Sequence, residues 1–533
     1  MSGVARVGAI RDREVGPGAR WIAMDKEGEQ EKIMAGQIIT RRSILKLAAG
    51  SAVTALLTAC GTAPSTTAPS GAGPTAAGTS PALAGGTGGQ VVATRTAGSA
   101  ATASARATAG VAPLVTVTPN AANAAASGSV RYWQTTYDNP ELPSSQYHQQ
   151  WVAQLKTVLP GVQFKEEQLA YNDMLDKLRV ALRAGQGPDM AVLPLLWGPE
   201  FAAGGALAEI DLAELGYKPD NFWPGALKSV SWQGKLYGVP TNNETHGFIW
   251  NKELFQRAGL DPETPPKTWA EVQTFAKQIK DKTGKAGYGL VAKLNAGDIP
   301  YRFMPLCWAH GGAALDETSD NPQYAKSQFD NAGTIAALQW VYDVFVRDGS
   351  APQSALTNTG VENQSLLLSG EIAMMSGHPT TYAVALRSAP QVAEKLGYTL
   401  MPQGPVRRAV VFGGSNIVIF KGTKDLAAAK AVVKDRTAPN WSLYHQWETS
   451  NPGNRDAFNL PAQQRRLAEN RFLNVTTDNL QYGISFPAVP ESSDIMNLYV
   501  PQMMQDVMLK VKTPEQAAQD TAKKVNDLLA KRR

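Results

Sequence analysis

Five histidines, 46 carboxylic acids and 12 tryptophans are the side chains of this 533-residue chain that could do chemistry or grip a solute. The histidines are His148, His246, His310, His378 and His445, and no two stand at the short spacing of a local metal site. The chain contains no G-x-S-x-G, no H-E-x-x-H and no G-x-x-x-x-G-K-[ST]. No local pattern sets two carboxylates across a scissile bond. The expectation is therefore no catalytic residue, no metal and no cofactor. Binding is better supported. An aromatic plane flanked by hydrogen-bonding side chains suits a small solute with an apolar face and a polar rim. Trp133, Trp197 and Trp308 each stand near an expected strand end or a Gly pair, where open α/β sheets bind ligands. Gln134, Thr135 and Tyr137 occupy the turn after the first expected strand, and Tyr482 a late loop. Between two apolar runs lies a polar hexad, Thr241 to His246, whose one acid is Glu244. Asn242 and Asn243 precede that acid. Such a hexad between strands suggests backbone crossing a cleft.

The elements that would position these residues can be read from pattern. SVRYW (129–133) reads as a strand. A helix follows from Pro143 to Val158, then a strand at 162–165. In YNDMLDKLRVALRAGQGPDMAVL, the residues Met174, Leu175, Leu178, Ala181 and Leu182 share one helical face. Gly185 stops that helix, and Met190 to Leu193 reads as a buried strand. Strand, helix and strand of these lengths make a parallel βαβ unit. Tyr237 to Val239 reads as a strand that Pro240 ends, and Gly247 to Trp250 as the next. Asn251 can cap the helix that follows, with Gly259 as its stop. A helix opens near Thr268, a strand spans 288–292, and helices cover 303–312, the Ile335 region and 424–433.

The bulk numbers bound the rest. The length permits two or three domains. A net charge of +5 gives no case for a nucleic-acid surface. Two cysteines, Cys60 and Cys307, exclude a disulfide framework. TRRSILK (40–46) resembles a twin-arginine export motif. An apolar run of about 13 residues follows, short of the roughly 20 that span a bilayer. LTAC (57–60) resembles a bacterial lipobox, which implies lipid attachment at Cys60. Residues 1–60 thus read as a lipoprotein signal, with Met34 as the expected true start. Residues 61–128 are almost entirely Ala, Thr, Ser, Gly, Pro and Val, and read as a disordered tether.

From Ser129 onward, motifs fall in a familiar order. They are helix–GQGPD–strand, FAAGGALAEID, GVPTNNETHGFIWNKELFQRAGL, TPPKTWAEV, LLLSGEIAMMSGHPT, LGYTLMPQGP and VVFGGSNIVIF. The chain resembles the sugar-type extracellular solute-binding proteins of bacterial ABC importers. The resemblance implies a periplasmic-binding-protein-like α/β fold. Two α/β lobes would be joined by a multi-segment hinge, with a ligand cleft between them. The first lobe is expected to hold 129–241 plus 377–412, and the second 242–376 plus 413–533. Crossings are expected near Thr241, Gly377 and Gly414. Glu244 matches an acidic ligand-binding position of maltose-binding members. His378 and Thr380 occupy the expected second crossing. Ser415 and Asn416 occupy the third, where the backbone of Gly414 could approach a ligand. The function implied is extracytoplasmic capture of a carbohydrate-type solute for a membrane permease, by a monomer tethered through its lipid. Alternatives are a glycerol-phosphate ester (with Arg302, Arg407 or Arg408 at the cleft), a polyamine or a peptide on the same fold. A lipid-anchored glycoside hydrolase and a sensory accessory are further rivals.

Overall fold

A computed structural model describes residues 115, 125–135, 142–316, 325–470 and 472–531. The export signal, Cys60 and nearly all of the expected tether lie outside the described residues. Val115, inside that tether, is buried. Its N–H donates to Gln150 Oε1 at 3.1 Å and its carbonyl accepts from Gln154 Nε2. The tether expected to reach residue 128 is therefore already engaged with the fold at Val115.

The chain order is β1 (Ser127–Thr135), α1 (Pro143–Val158), β2 (Gly161–Leu169), α2 (Tyr171–Arg183) and β3 (Met190–Pro194). Then come β4 (Val239–Glu244), β5 (Gly247–Asn251), α3 (Trp269–Thr283), β6 (Ala286–Tyr288) and α4 (Pro300–Ala309). Next are β7 (Ile372–Gly377), α5 (Thr380–Ser388), β8 (Leu396–Thr399), β9 (Val410–Val411) and β10 (Gly413–Ile419). β11 (Asn451–Pro452), β12 (Gly483–Ile484) and a terminal helix Pro514–Ala530 complete the set used below.

Two sheets result. The first has six strands in the order β11-β4-β10-β3-β1-β2, and the second has four in the order β8-β5-β7-β6. β1 runs parallel to β2 and β3, as the βαβ pattern requires. The helices form where expected and for the expected reasons. Met174 and Leu178 are fully buried on α2. Asn251 accepts from Leu254 N at its helix start, and Thr268 accepts from Glu271 N at the start of α3. In the first lobe, Val130, Tyr132, Trp151, Val239 and Ile417 pack together. In the second, Phe248, Trp269, Tyr288 and Trp340 form an edge-to-face and stacked cluster. Burying each such ring stabilises the lobe by roughly 1.5–3 kcal/mol.

The division into lobes differs from the expectation in three places. β8 pairs with β5 and so belongs to the second sheet. β10 lies between β4 and β3, and β11 beside β4, so residues 413–419 and 451–452 belong to the first. No crossing occurs at Gly377. β7 ends there in the second sheet, α5 follows, and β8 returns to the same sheet. The first crossing is Thr245–His246, and the second is the stretch 400–412. An apolar run shows that a strand exists, but which sheet it joins depends on partners far along the chain. The polar hexad also differs from the expected crossing loop. Its first four residues continue β4 through Pro240 to Glu244. They can be polar inside a sheet because polar groups meet them: Thr241 Oγ1 donates to Ser415 O, Asn242 to Ser450 Oγ and Asn243 to Pro452 O. The strand expected at 288–292 instead spans Ala286–Tyr288 and shares only Tyr288 with the expected range.

Candidate functional site

One edge of the first sheet gathers the ends of its strands. Thr135 stands opposite Leu169, Ser415 opposite Pro194, and Gly413 opposite Glu244. The chain leaves this edge at Tyr171 and Trp197 on the first lobe and at Thr245–His246 toward the second. The second sheet presents the start of β5 and the end of β7, paired at Gly247 and Gly377, with His378 just beyond. The helix 473–479 buttresses the crossing: Thr245 Oγ1 donates to Thr476 O, and Asn479 donates to His246 O.

Glu244 stands at the centre. Its side chain keeps 27% exposure, and its Oε1 lies 3.4 Å from His246 Nε2 and 3.7 Å from His378 Nε2. No described residue hydrogen-bonds its carboxylate at closer range. Around it stand three tyrosines, Tyr171, Tyr301 and Tyr398. Burial raises all three phenols well above their usual range, and the Glu244 charge adds to it. Tyr171 is still 37% exposed. Its ring lies 5.2 Å from that of Trp197. From the other lobe, Tyr301 stands 5.5 Å from the His246 ring and 5.2 Å from Phe486, which neighbours Trp308 at 6.2 Å. Aromatic groups of both lobes thus flank one acid. The lobes meet closely here. A Cβ on Gly297 would lie 2.8 Å from the Tyr171 ring, and one on Gly413 2.6 Å from the Tyr301 ring. Neither the Tyr171 nor the Tyr301 hydroxyl is hydrogen-bonded to a described residue. The indole N–H groups of Trp197 and Trp308 are buried without a partner among the described residues.

Both imidazoles are held neutral. Burial lowers His246 to about 3, with help from Arg302, and lowers His378 to about 4 against the pull of Glu244. The approaches to Glu244 are thus contacts of neutral rings, not ion pairs. A folded-state pKa below the ordinary 6.5 means the unfolded chain binds the proton first. Stability is therefore complete above about pH 6.5 and is lost as pH falls through it. Each such group contributes a slope of about 1.4 kcal/mol per pH unit. His148 and His445, also lowered by burial, act in the same direction. Asp435, raised to about 6, and Glu448, also raised, act oppositely and offset part of the loss. The melting temperature at pH 5 should lie several degrees below that at pH 7. An equal or higher value at pH 5 would contradict this balance.

The expected site residues divide. Glu244, His378, Trp197 and Trp308 come together in this cluster, and Thr380 joins through His378. Trp133, two residues before the end of β1, packs partly buried on the core, and Thr135 stands half-buried at the sheet edge. Gln134 turns to the opposite face. It is buried, accepts from Tyr132 Oη and donates to Glu166 Oε1, so it serves an internal network. Asn242, Asn243 and Asn416 are buried within the sheet, the first two donating to residues beside and within β11 and Asn416 to Ser229. Gly414 has φ +130°, and a Cβ there would lie 2.3 Å from Asn242 O. Close strand packing requires glycine at that point. Ser415 is half-buried opposite Asn242, and Tyr482 lies beneath Arg408, 5.4 Å from its ring centroid. Tyr137 lies outside the described residues. The sequence reading passed over Tyr171, His246 and Tyr301 as site residues. An aromatic residue in the first turn of a helix after a strand was the available signal for Tyr171.

Among the described residues no His, Cys, Asp and Glu group is arranged to hold a metal ion, and no helix is long and apolar enough to cross a membrane. Two α/β lobes, a chain that crosses between them and an aromatic cluster of both lobes around a carboxylate define an architecture of the periplasmic-binding type. The chain belongs to the family of bacterial extracellular solute-binding proteins, whose sequence profile matches residues 139–434. It is similar to a maltotriose-binding protein of Pyrococcus abyssi, 26% identical over 331 residues, covering 61% of this chain and 63% of that one. Its fold matches an ABC transporter solute-binding protein of Thermotoga lettingae bound with α-D-tagatose (25% identity, TM-score 0.66, 76% of this chain and 100% of that one). It also matches a Mycobacterium tuberculosis protein in complex with glycerophosphocholine (20% identity, TM-score 0.63, 76% and 99%), a likeness of fold alone.

Proposed function

We propose that this chain is the solute-binding subunit of an ABC importer, and that it takes a carbohydrate-type solute between its lobes and presents it to a membrane permease. The observation that carries this reading is the carboxylate of Glu244, beside two neutral imidazoles and two tyrosine hydroxyls, with none of these oxygens hydrogen-bonded to a described residue. Hydroxyl groups of a neutral solute can donate to the acid and accept from the tyrosines, while aromatic rings cover its apolar face. The similarity to a maltotriose-binding and a tagatose-bound protein supports the same class.

The rivals fare less well on the same geometry. Of the three cations a phosphate ester could use, Arg302 is paired with Asp298 at 2.9 Å and Arg408 lies over Tyr482, which leaves the exposed Arg407 as its remaining candidate. A glycoside hydrolase needs two available carboxylates. The acid that shares the field of Tyr171 with Glu244 is Asp298, and it is spent on Arg302 and on the Gly360 N–H. We therefore read the chain as a binding protein without catalysis. Solute that touches both lobes favours the closed arrangement, which a permease can recognise. Lipid attachment at Cys60 and a monomeric state complete the proposal. Loss of membrane association in a Cys60→Ala precursor tests the anchor.

The direct test is a thermal-shift screen with maltotriose, D-tagatose, glycerol 3-phosphate, spermidine and a short peptide. Binding to the native state alone adds about 2.7 kcal/mol at 100-fold over Kd. A sugar should raise the melting temperature. A shift with the phosphate or the amine and with no sugar would replace the substrate class.

A further inference from the structure

His378 follows the last residue of β7 and stands two residues before Thr380, which opens α5. The first N–H groups of a helix lack partners within it. The Thr380 N–H finds one in Nδ1 of His378, at 3.2 Å. A backbone N–H can only donate, so this Nδ1 is an acceptor and carries no proton. The Thr380 hydroxyl, 2.6 Å from the same atom, donates to it as well. In a neutral imidazole the proton then sits on Nε2. That Nε2–H faces Glu244 Oε1 at 3.7 Å, too long for a hydrogen bond and close enough for both groups to meet one small solute.

We propose that His378, held as its Nε2–H tautomer by Thr380, and Glu244 form a donor–acceptor pair that reads two adjacent hydroxyl groups of the solute. A hydroxyl can donate to the carboxylate while its neighbour accepts from the imidazole. A phosphate offers acceptors to an acid that can only accept, whereas an ammonium group satisfies the acid and leaves only the imidazole donor unmatched. The pair therefore selects a vicinal diol against a phosphate, and against an ammonium through the imidazole alone. Thr380 acts through His378 and is a positioning residue. The identity of the solute rests on the binding reading above; the tautomer does not.

The tautomer can be read without any solute. Long-range 15N–1H correlation spectra of the full chain with labelled histidine distinguish the two neutral forms, and the signal lost in His378→Gln assigns the residue. The expected result is an Nε2–H ring in the wild type, retained in Thr380→Val, whose backbone N–H still donates to Nδ1. An Nδ1–H ring in the wild type would overturn the inference. Calorimetric titration with maltotriose and D-tagatose then measures the reading itself. His378→Phe should weaken binding about tenfold. His378→Gln, which keeps a donor, should weaken it less, and Thr380→Val only a few-fold. Unchanged affinity in His378→Phe would overturn the role of the pair. If the wild type binds neither sugar, the proposed solute class fails while the tautomer still decides the geometry.

Discussion

Glu244→Ala should weaken solute binding by about 100-fold, the scale of a lost hydrogen bond to a charged group. It should leave the unliganded melting temperature within about 2 °C. The two halves of this expectation have separate causes. No described residue hydrogen-bonds the carboxylate, and it keeps 27% exposure, so the fold does not depend on it. Yet aromatic groups of both lobes stand around it, and on the proposed reading removing the acid leaves the solute without its acceptor. Glu244→Gln keeps an oxygen acceptor and should lose less. A calorimetric titration with the sugar that raises the melting temperature checks both variants. An Ala variant within twofold of the wild type would take Glu244 out of the site.

Arg466→Met should cost about 3–5 kcal/mol of stability, the usual penalty for breaking a buried charged network. Arg466 is fully buried. Its Nε donates to Trp447 O at 2.9 Å, and its Nη2 to Gln446 O at 3.0 Å and to Ser450 O. Its Nη1 reaches Gln463 Oε1 at 3.3 Å. Burial holds its pKa down at about 9, and the opposing charge of Glu448 limits that loss. Methionine fills the volume but leaves the Trp447 and Ser450 carbonyls without a donor among the described residues, while Gln446 O keeps the Thr449 N–H at 3.2 Å. Those carbonyls lead into β11, which Asn242 and the β4 edge use to end the sheet beside the cleft. Urea unfolding should show the loss. A change below about 1 kcal/mol would mean that water or relaxation satisfies those groups.

Local pattern made the helices legible, because period and caps act within a few residues. Pro143–Val158 and Tyr171–Arg183 form as the spacing requires, and Asn251 and Thr268 cap as their residue types suggest. Glu244 was legible as the one acid in a polar run between apolar strands. The lobe assignment was not, since β8 and β10 choose their sheets through partners more than 100 residues away. Gln134 shows a second limit. Alternation puts Tyr132 and Gln134 on one face of β1 and Trp133 on the other, but pattern does not say which face meets a buried histidine. His378 and Thr380 were picked for a crossing that is absent, and they reach the cleft because β7 ends beside Glu244. Tyr301 escaped notice because its role depends on contact with His246 from the other lobe.

Hydrogen exchange read by mass spectrometry, with and without saturating sugar, tests the central claim most directly. Solute held between the lobes should slow exchange together in segments around Tyr171, Thr245–His246, Tyr301 and His378, on both sides of the crossing. Protection confined to one lobe, or placed away from Glu244, would contradict a cleft-bound solute.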